Sequence, residues 1–178
     1  HAKIESLEQI MGVGVFLGES VDAEYSTAGF AGKYRVIHAV DDSRNAGLDA
    51  DIFVVLQNAA VDHIRNLRHM VAGFLTSAYG YELDDALVLA EFVTVYNAVY
   101  RGKMSFFGQK YKQIVTNNLT PESVGLSTLY VDWPGKTEMV IPLTEDAEEG
   151  GLGALDTDVL THEKVIDELR TQDDMGLE

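Results

Sequence analysis

Five side chains that carry oxygen ligands lie within one short stretch of the chain. They are Asp41, Asp42, Asn45, Asp49 and Asp51. Carboxylate and amide oxygens are the ligands that hard cations such as Ca²⁺ and Mg²⁺ prefer in proteins. The stretch therefore has two interpretations: a divalent-cation site, or an acidic turn that is solvated and holds no metal.

The residues around this stretch favour a hairpin over a helical crossover. The run from Asp41 to Asn45 follows a predicted strand and is loosely similar to the Asp-x-Ser-x-Ser loop with which von Willebrand A domains hold Mg²⁺. The stretch is short, however, and leads directly into a second predicted strand, which suits a hairpin rather than the helical crossover of that domain. A cation-dependent adhesion or ligand-binding domain is the alternative function that these residues support.

A second candidate site lies on a predicted helix, residues 83–101, that is apolar over nearly all of its surface. Its few polar residues fall in one narrow arc, which includes Glu91 and Asn97. These two residues could line a ligand pocket together with three aromatic residues, Tyr96, Tyr100 and Trp133. An internal hydrogen-bond network that satisfies the same polar groups is the favoured alternative.

Other catalytic and cofactor motifs are incomplete. Gly135-Lys136-Thr137 has the ending of a phosphate-binding loop, but Tyr130 occupies the position of its first glycine. His63 and His69 are six residues apart and point in different directions on a helix, which does not suit a two-histidine metal clamp. The chain has no cysteine. We therefore expect a protein that is not an enzyme and has no cofactor, apart from Ca²⁺ or Mg²⁺ if the acidic stretch binds one.

The distribution of charge limits the classes of partner. The 178 residues include 13 basic and 29 acidic side chains, a formal net charge of −16. Residues 143–178 hold 12 of these acids and only two bases, so the preceding body is mildly acidic. No basic cluster of the kind that binds phosphate backbones is evident, which argues against nucleic acid. No apolar run approaches the roughly 18 residues that a membrane-spanning helix needs.

An α+β fold is predicted to position the candidate residues. Helical periodicity predicts helices near residues 6–17, 59–79, 83–101 and 105–118. Residues 33–40, 52–56 and 137–143 have strand patterns, and residues 18–32 are predicted to form a loop. We expect a mainly helical body, with four to five helices around the central apolar helix 83–101, and a small, mainly antiparallel three-stranded sheet.

The end of the chain differs in composition from the body. Glycines at residues 150–153 indicate a connector, and apolar residues recur at helical spacing between residues 158 and 171. This helix is predicted either to dock back on the body or to begin a further region. We predict a compact α+β domain over residues 1–143, and an acidic linker and amphipathic helix over residues 144–178 that lead toward a truncated downstream region.

Several specific runs give the chain a family resemblance over about residues 7–143. The first are Leu7-Glu8-Gln9-Ile10, Gly32-Lys33-Tyr34, Asn66-Leu67-Arg68 and the run from Tyr96 through Asn97, Ala98, Val99, Tyr100 and Arg101 to Gly102. Others are Gly125-Leu126-Ser127, Trp133 and Ile141-Pro142-Leu143. In these runs the chain resembles the N-terminal region of the spirochaete envelope antigen family typified by the Borrelia 83/100-kDa antigen. It departs from the Borrelia type at Ser43, Asn45 and Asp49, so the resemblance implies no family-wide metal site.

The resemblance implies an exported protein, periplasmic or associated with the outer membrane, that continues into a long charged helical region. It implies no catalytic activity. We therefore expect a non-catalytic binding or scaffold module whose partner is a protein or another component of the envelope.

Overall fold

The computed structural model describes residues 7–20, 27–30, 33–41, 47–57, 59, 61, 63–143 and 162–176. Its elements in chain order are α1 (Leu7–Ser20), β1 (Thr27–Phe30), β2 (Tyr34–Ala39), β3 (Asp49–Val55), α2 (Ile64–Tyr79), α3 (Leu83–Val99), α4 (Met104–Lys110), α5 (Gln113–Thr116), a 3₁₀ turn (Tyr130–Asp132), β4 (Thr137–Leu143) and α6 (Glu163–Gly176). The α+β class predicted from the sequence is confirmed. Every helix in the described ranges is too short or too polar to cross a membrane.

The sheet is antiparallel throughout, with the strand order β1-β2-β3-β4. The three predicted strands are confirmed as β2, β3 and β4. The loop predicted over residues 18–32 is wrong at residues 18–20, which are the end of α1, and at Thr27–Phe30, which pairs with β2 as a fourth strand. This strand is only four residues long and contains Ala and Gly, so its pairing with β2 rather than its own pattern defines it.

Helices α1 and α2 pack with their backbones in close contact. A Cβ atom on Gly14 would overlap the carbonyl oxygen of Met70, and one on Gly73 would overlap that of Met11. Glycine at these two positions therefore allows the two helix backbones to approach each other. Helix α2 also packs on the sheet, where Phe74 meets Phe53 edge to face at 6.4 Å between ring centroids.

The helix predicted over residues 105–118 is divided into α4 and α5. The division occurs because Tyr111 forms a parallel bridge with Leu48, just before β3. The Leu48 amide donates to the Lys110 carbonyl at 3.1 Å, and the Lys112 amide donates to the Leu48 carbonyl at 2.9 Å. These two bonds require extended backbone at residue 111, which local helical periodicity does not reveal.

Helix α6 docks on the body against α2 and α3. The Leu169 side chain is fully buried, and the Tyr130 hydroxyl donates to the Leu169 carbonyl at 2.9 Å. The docking that was predicted as one possibility for this helix is therefore found, and a further region after it stays a prediction. The boundary after Leu143 stays a prediction, since residues 144–161 lie outside the described ranges.

Candidate functional site

Two members of the predicted cation site share a lysine. The Lys112 ammonium lies 3.4 Å from Asp41 Oδ1 and 3.2 Å from Asp49 Oδ1, and the Asp41 amide donates to Asp49 Oδ1 at 3.4 Å. Burial acts to lower the pKa of Lys112, but bonding and charge contacts with Asp49 and Asp41 raise it overall. The single positive charge of Lys112 therefore offsets part of the negative charge of these two carboxylates. Asp42 and Asn45 lie outside the described residues.

Asp51, the fifth predicted ligand, is fully buried and belongs to a different set of contacts. Its carboxylate bonds to His38 Nδ1 at 2.6 Å, and it accepts a hydrogen bond from the Tyr79 hydroxyl. His38 lies directly opposite Asp51 in the β2–β3 register, and Tyr79 ends helix α2. The network joins two strands to a helix end, which compensates the burial of a charge. Within the described ranges, no three His, Asp or Glu residues are arranged to hold a metal.

The structure separates the polar members of the predicted pocket. Glu91 is exposed, whereas Asn97 is fully buried. The Asn97 side-chain amide donates to the carbonyls of Val93 at 2.8 Å and Val140 at 3.0 Å, and its Oδ1 accepts from the Val140 amide at 2.8 Å. Asn97 therefore bonds to Val140 as a neighbouring strand would. These bonds correspond to the favoured alternative, an internal hydrogen-bond network.

Strand β4 lies at one edge of the sheet, and its outward backbone groups are covered in succession. The Glu138 carbonyl accepts from the Gly125 amide and the Glu138 amide donates to the Ser123 carbonyl, each at 2.8 Å. Asn97 covers Val140, and alternation places Pro142, which has no N–H group, at the next outward position. Covered edges prevent pairing with other chains.

Arg101 holds the loop that supplies part of this cover. Its guanidinium donates to the carbonyls of Ser123 at 2.8 Å and Glu122 at 3.2 Å. Burial lowers the pKa of Arg101, and the charges of Asp132 and Glu138 oppose that effect. Gly125 has φ +90, and a side chain there would collide with the Asn97 carbonyl. The polar members of the Tyr96–Gly102 run therefore maintain the architecture.

The aromatic members of the predicted pocket belong to two groups. Trp133 is fully buried, donates from Nε1 to the Ser127 carbonyl at 2.8 Å and packs against Tyr130. The Tyr96 hydroxyl bonds to that of Tyr111 at 2.7 Å, and burial raises the pKa of Tyr111, with the Tyr96 hydroxyl adding to the effect.

Tyr100 belongs to a feature that the sequence reasoning missed, which we call the aromatic–lysine surface: Tyr100, Lys103, Phe106 and Lys110. The Tyr100 and Phe106 rings are half-buried and stacked, with centroids 3.7 Å apart and planes at 1°. The Lys103 ammonium lies 5.8 Å from the Tyr100 centroid, and that of Lys110 lies 5.6 Å from the Phe106 centroid. Each lysine is thus positioned over a ring face, a favourable cation–π arrangement.

The sequence around this surface is locally basic. Residues 92–121 contain four basic residues and no acidic one, within a chain of net charge −16. Arg101 is bonded to loop carbonyls and Lys112 to the acidic stretch, while the ammonium groups of Lys103 and Lys110 lie over the faces of the two rings. The 30-residue interval without acid was the sequence signal that could have located the surface.

The fold and these contacts define a class of protein: an acidic α+β module with a covered sheet edge and, within the part of the chain that the structure describes, a basic, aromatic surface at the junction of α3 and α4. A family model described as Borrelia P83/100 protein matches residues 1–178, and the chain belongs to that family. No curated protein and no solved structure matches the chain.

Proposed function

We propose that this chain is a non-catalytic binding or scaffold module of the spirochaete cell envelope, exported to the periplasm or to the outer membrane. Membership of an antigen family supports an envelope-related role. The observation that carries the binding role is the aromatic–lysine surface, because aromatic residues such as Tyr100 and Phe106 are enriched at protein interfaces.

The contacts of the polar residues support the non-catalytic part of the proposal. Asn97 bonds to backbone groups, and Asp51 bonds to His38 and Tyr79. Glu91, the acidic residue of the predicted pocket, is exposed on α3. Turnover of any substrate that is abolished by Glu91→Gln or Asp41→Ala would contradict this part of the proposal.

Capture from an envelope fraction tests the binding role. The immobilised whole chain should retain a saturable envelope component, and the heat-denatured chain should not. Truncation at Leu143 is unsuitable as a control, because it removes the buried Leu169 and uncovers the body beneath α6. Equal retention by native and denatured chains, or none by either, would contradict the proposal.

The alternative function is divalent-cation-dependent adhesion through the stretch from Asp41 to Asp51. Lys112 lies between the carboxylates of Asp41 and Asp49, where it would compete with a metal ion. If Ca²⁺ or Mg²⁺ binds the native state, it raises the melting temperature, and Lys112→Gln should enlarge that rise. Extracellular calcium sites bind with dissociation constants of up to about 1 mM. If the melting temperature of neither protein rises at several millimolar Ca²⁺ or Mg²⁺, this alternative is excluded.

A further inference from the structure

Helix α6 is attached to the body through one of its faces. Val165 and Ile166 are half-buried and pack against the core, and Leu169 is fully buried. Lys164 and Asp167, which point to the other side of the helix, are exposed. The helix is therefore amphipathic, and apolar residues at positions i, i+1 and i+4 make the attachment.

The surface beneath α6, which we call the α6 site, consists of α2, α3 and Tyr130. Its parts are joined by contacts that do not involve α6. Arg68 Nε donates to Thr94 Oγ1 at 2.9 Å and so links α2 to α3. Tyr130 packs against the buried Trp133, with ring centroids 4.5 Å apart. Because α2 also packs on α1 and on the sheet, we expect the site to keep its shape without α6.

Release of α6 should cost less free energy than unfolding of the body. Residues 144–162 separate α6 from β4 in the sequence, so its departure does not require β4 to move. The helix has 14 residues, a length at which an isolated helix is marginal in water, so its structure depends mainly on docking. Peripheral elements of this kind open locally, below the free energy of global unfolding. Local opening of α6 exposes the α6 site.

The segment that occupies the site indicates which ligand fits there. It is an amphipathic helix that binds through a few apolar side chains. A second copy of the chain carries the same helix, but each copy holds its own α6 near the site at an effective concentration on the order of 1 mM. Exchange between identical chains therefore brings no gain, whereas a helix of another protein can have a larger apolar face and displace α6.

We propose that the α6 site binds an amphipathic helix of a partner protein, and that α6 occupies the site until this helix replaces it. The partner helix carries apolar residues at the spacing of Val165, Ile166 and Leu169. This inference goes beyond the proposed function, because it concerns a different surface from the aromatic–lysine surface.

A fluorescent peptide with the sequence of residues 162–176 tests the proposal by anisotropy. It should bind the whole chain weakly, because α6 competes, and the Leu169→Ala chain about tenfold more tightly, because that α6 docks less firmly. The Asp167→Ala chain, changed at an exposed position, should bind like the original. A peptide with Leu169→Ala should not bind, and one with Glu163→Gln, Lys164→Gln and Asp167→Gln should bind like the first.

Hydrogen exchange of the original chain tests the release of α6 without any substitution. The amides of Ile166 and Leu169 should exchange at least about tenfold faster than those of Leu67 and Val71 in α2, because α6 opens while the body stays folded. Equal protection in the two helices would mean that α6 leaves only when the whole chain unfolds, and the proposal would then be wrong.

Other results of the binding assay also overturn the proposal. Binding to neither chain would mean that the α6 site accepts no separate helix, and equal binding of the Leu169→Ala peptide would place the binding elsewhere. Dimers of the original chain that the free peptide dissociates would assign the site to α6 of a second copy. Capture from the envelope fraction is measured separately, so this inference and the proposed function can fail independently.

Discussion

At the scale of single residues, burial of charge is compensated by specific partners. Asp51 is balanced by His38 and Tyr79, and Asp49 by Lys112. Both sets join residues that are distant in sequence, so they link separate elements of the fold. The carboxylates that the sequence suggested as one set of metal ligands therefore have two separate structural roles.

Glu138 gives the clearest pH prediction. Burial raises its pKa, with Glu122 adding to the rise, while bonds from Thr120 and the charge of Arg101 oppose it. The folded state thus holds this proton more tightly than the unfolded state, so the contribution of Glu138 to stability falls as pH rises from its ordinary pKa of 4.5 through the raised value.

Glu138→Gln should remove that pH dependence and keep an oxygen to accept from the Thr120 amide. Above the raised pKa, we expect the variant to be more stable by less than about 1 kcal/mol, measured by urea unfolding between pH 4 and 8. Glu91→Gln, at an exposed site on α3, is the matched control and should retain the slope. A variant that is less stable than the original chain at pH 8 would contradict this assignment.

At the scale of elements, the sheet edge explains why an amide lies on an apolar helix. Asn97 pairs with both backbone groups of Val140, and the loop held by Arg101 pairs with those of Glu138. The Tyr-Asn-Ala-Val-Tyr-Arg-Gly run of the family resemblance therefore protects β4 from unwanted pairing. Sequence periodicity located helix α3 correctly, but the partner of Asn97 is 43 residues away.

Asn97→Ala should leave the Val140 amide and carbonyl buried without their partner. We expect a loss of about 2–4 kcal/mol in the free energy of unfolding, because each unsatisfied buried group costs about 1–3 kcal/mol. Asn118→Ala removes a similar bond, from an exposed asparagine to the Ile114 carbonyl, and should cost under about 0.5 kcal/mol. Similar losses in the two variants would show that the edge cover contributes no stability.

At the scale of the whole molecule, α6 is part of the body rather than a separate appendage. Val165 and Ile166 pack against the core, and Leu169 is fully buried. The acidic end of the chain therefore returns to α2 and α3 after residues 144–161.

Leu169→Ala tests this docking directly. A fully buried leucine contributes about 2–5 kcal/mol, and we expect the lower part of that range because α6 is peripheral. Asp167→Ala, at an exposed position of the same helix, is the control and should change stability by under about 0.5 kcal/mol. A Leu169→Ala chain as stable as the original in urea would mean that α6 is not docked in solution.

The sequence by itself determined the α+β class, most helix and strand positions and the family, because these depend on local periodicity and on specific runs of residues. Only the tertiary structure decided what the polar and charged residues do. Asn97 meets Val140, Asp51 meets His38, and Lys112 meets Asp49 through strand register and helix packing. These contacts join residues far apart in sequence, so no local pattern specifies them. The stacked rings of Tyr100 and Phe106 are close in sequence, but it is the turn between α3 and α4 that brings them face to face.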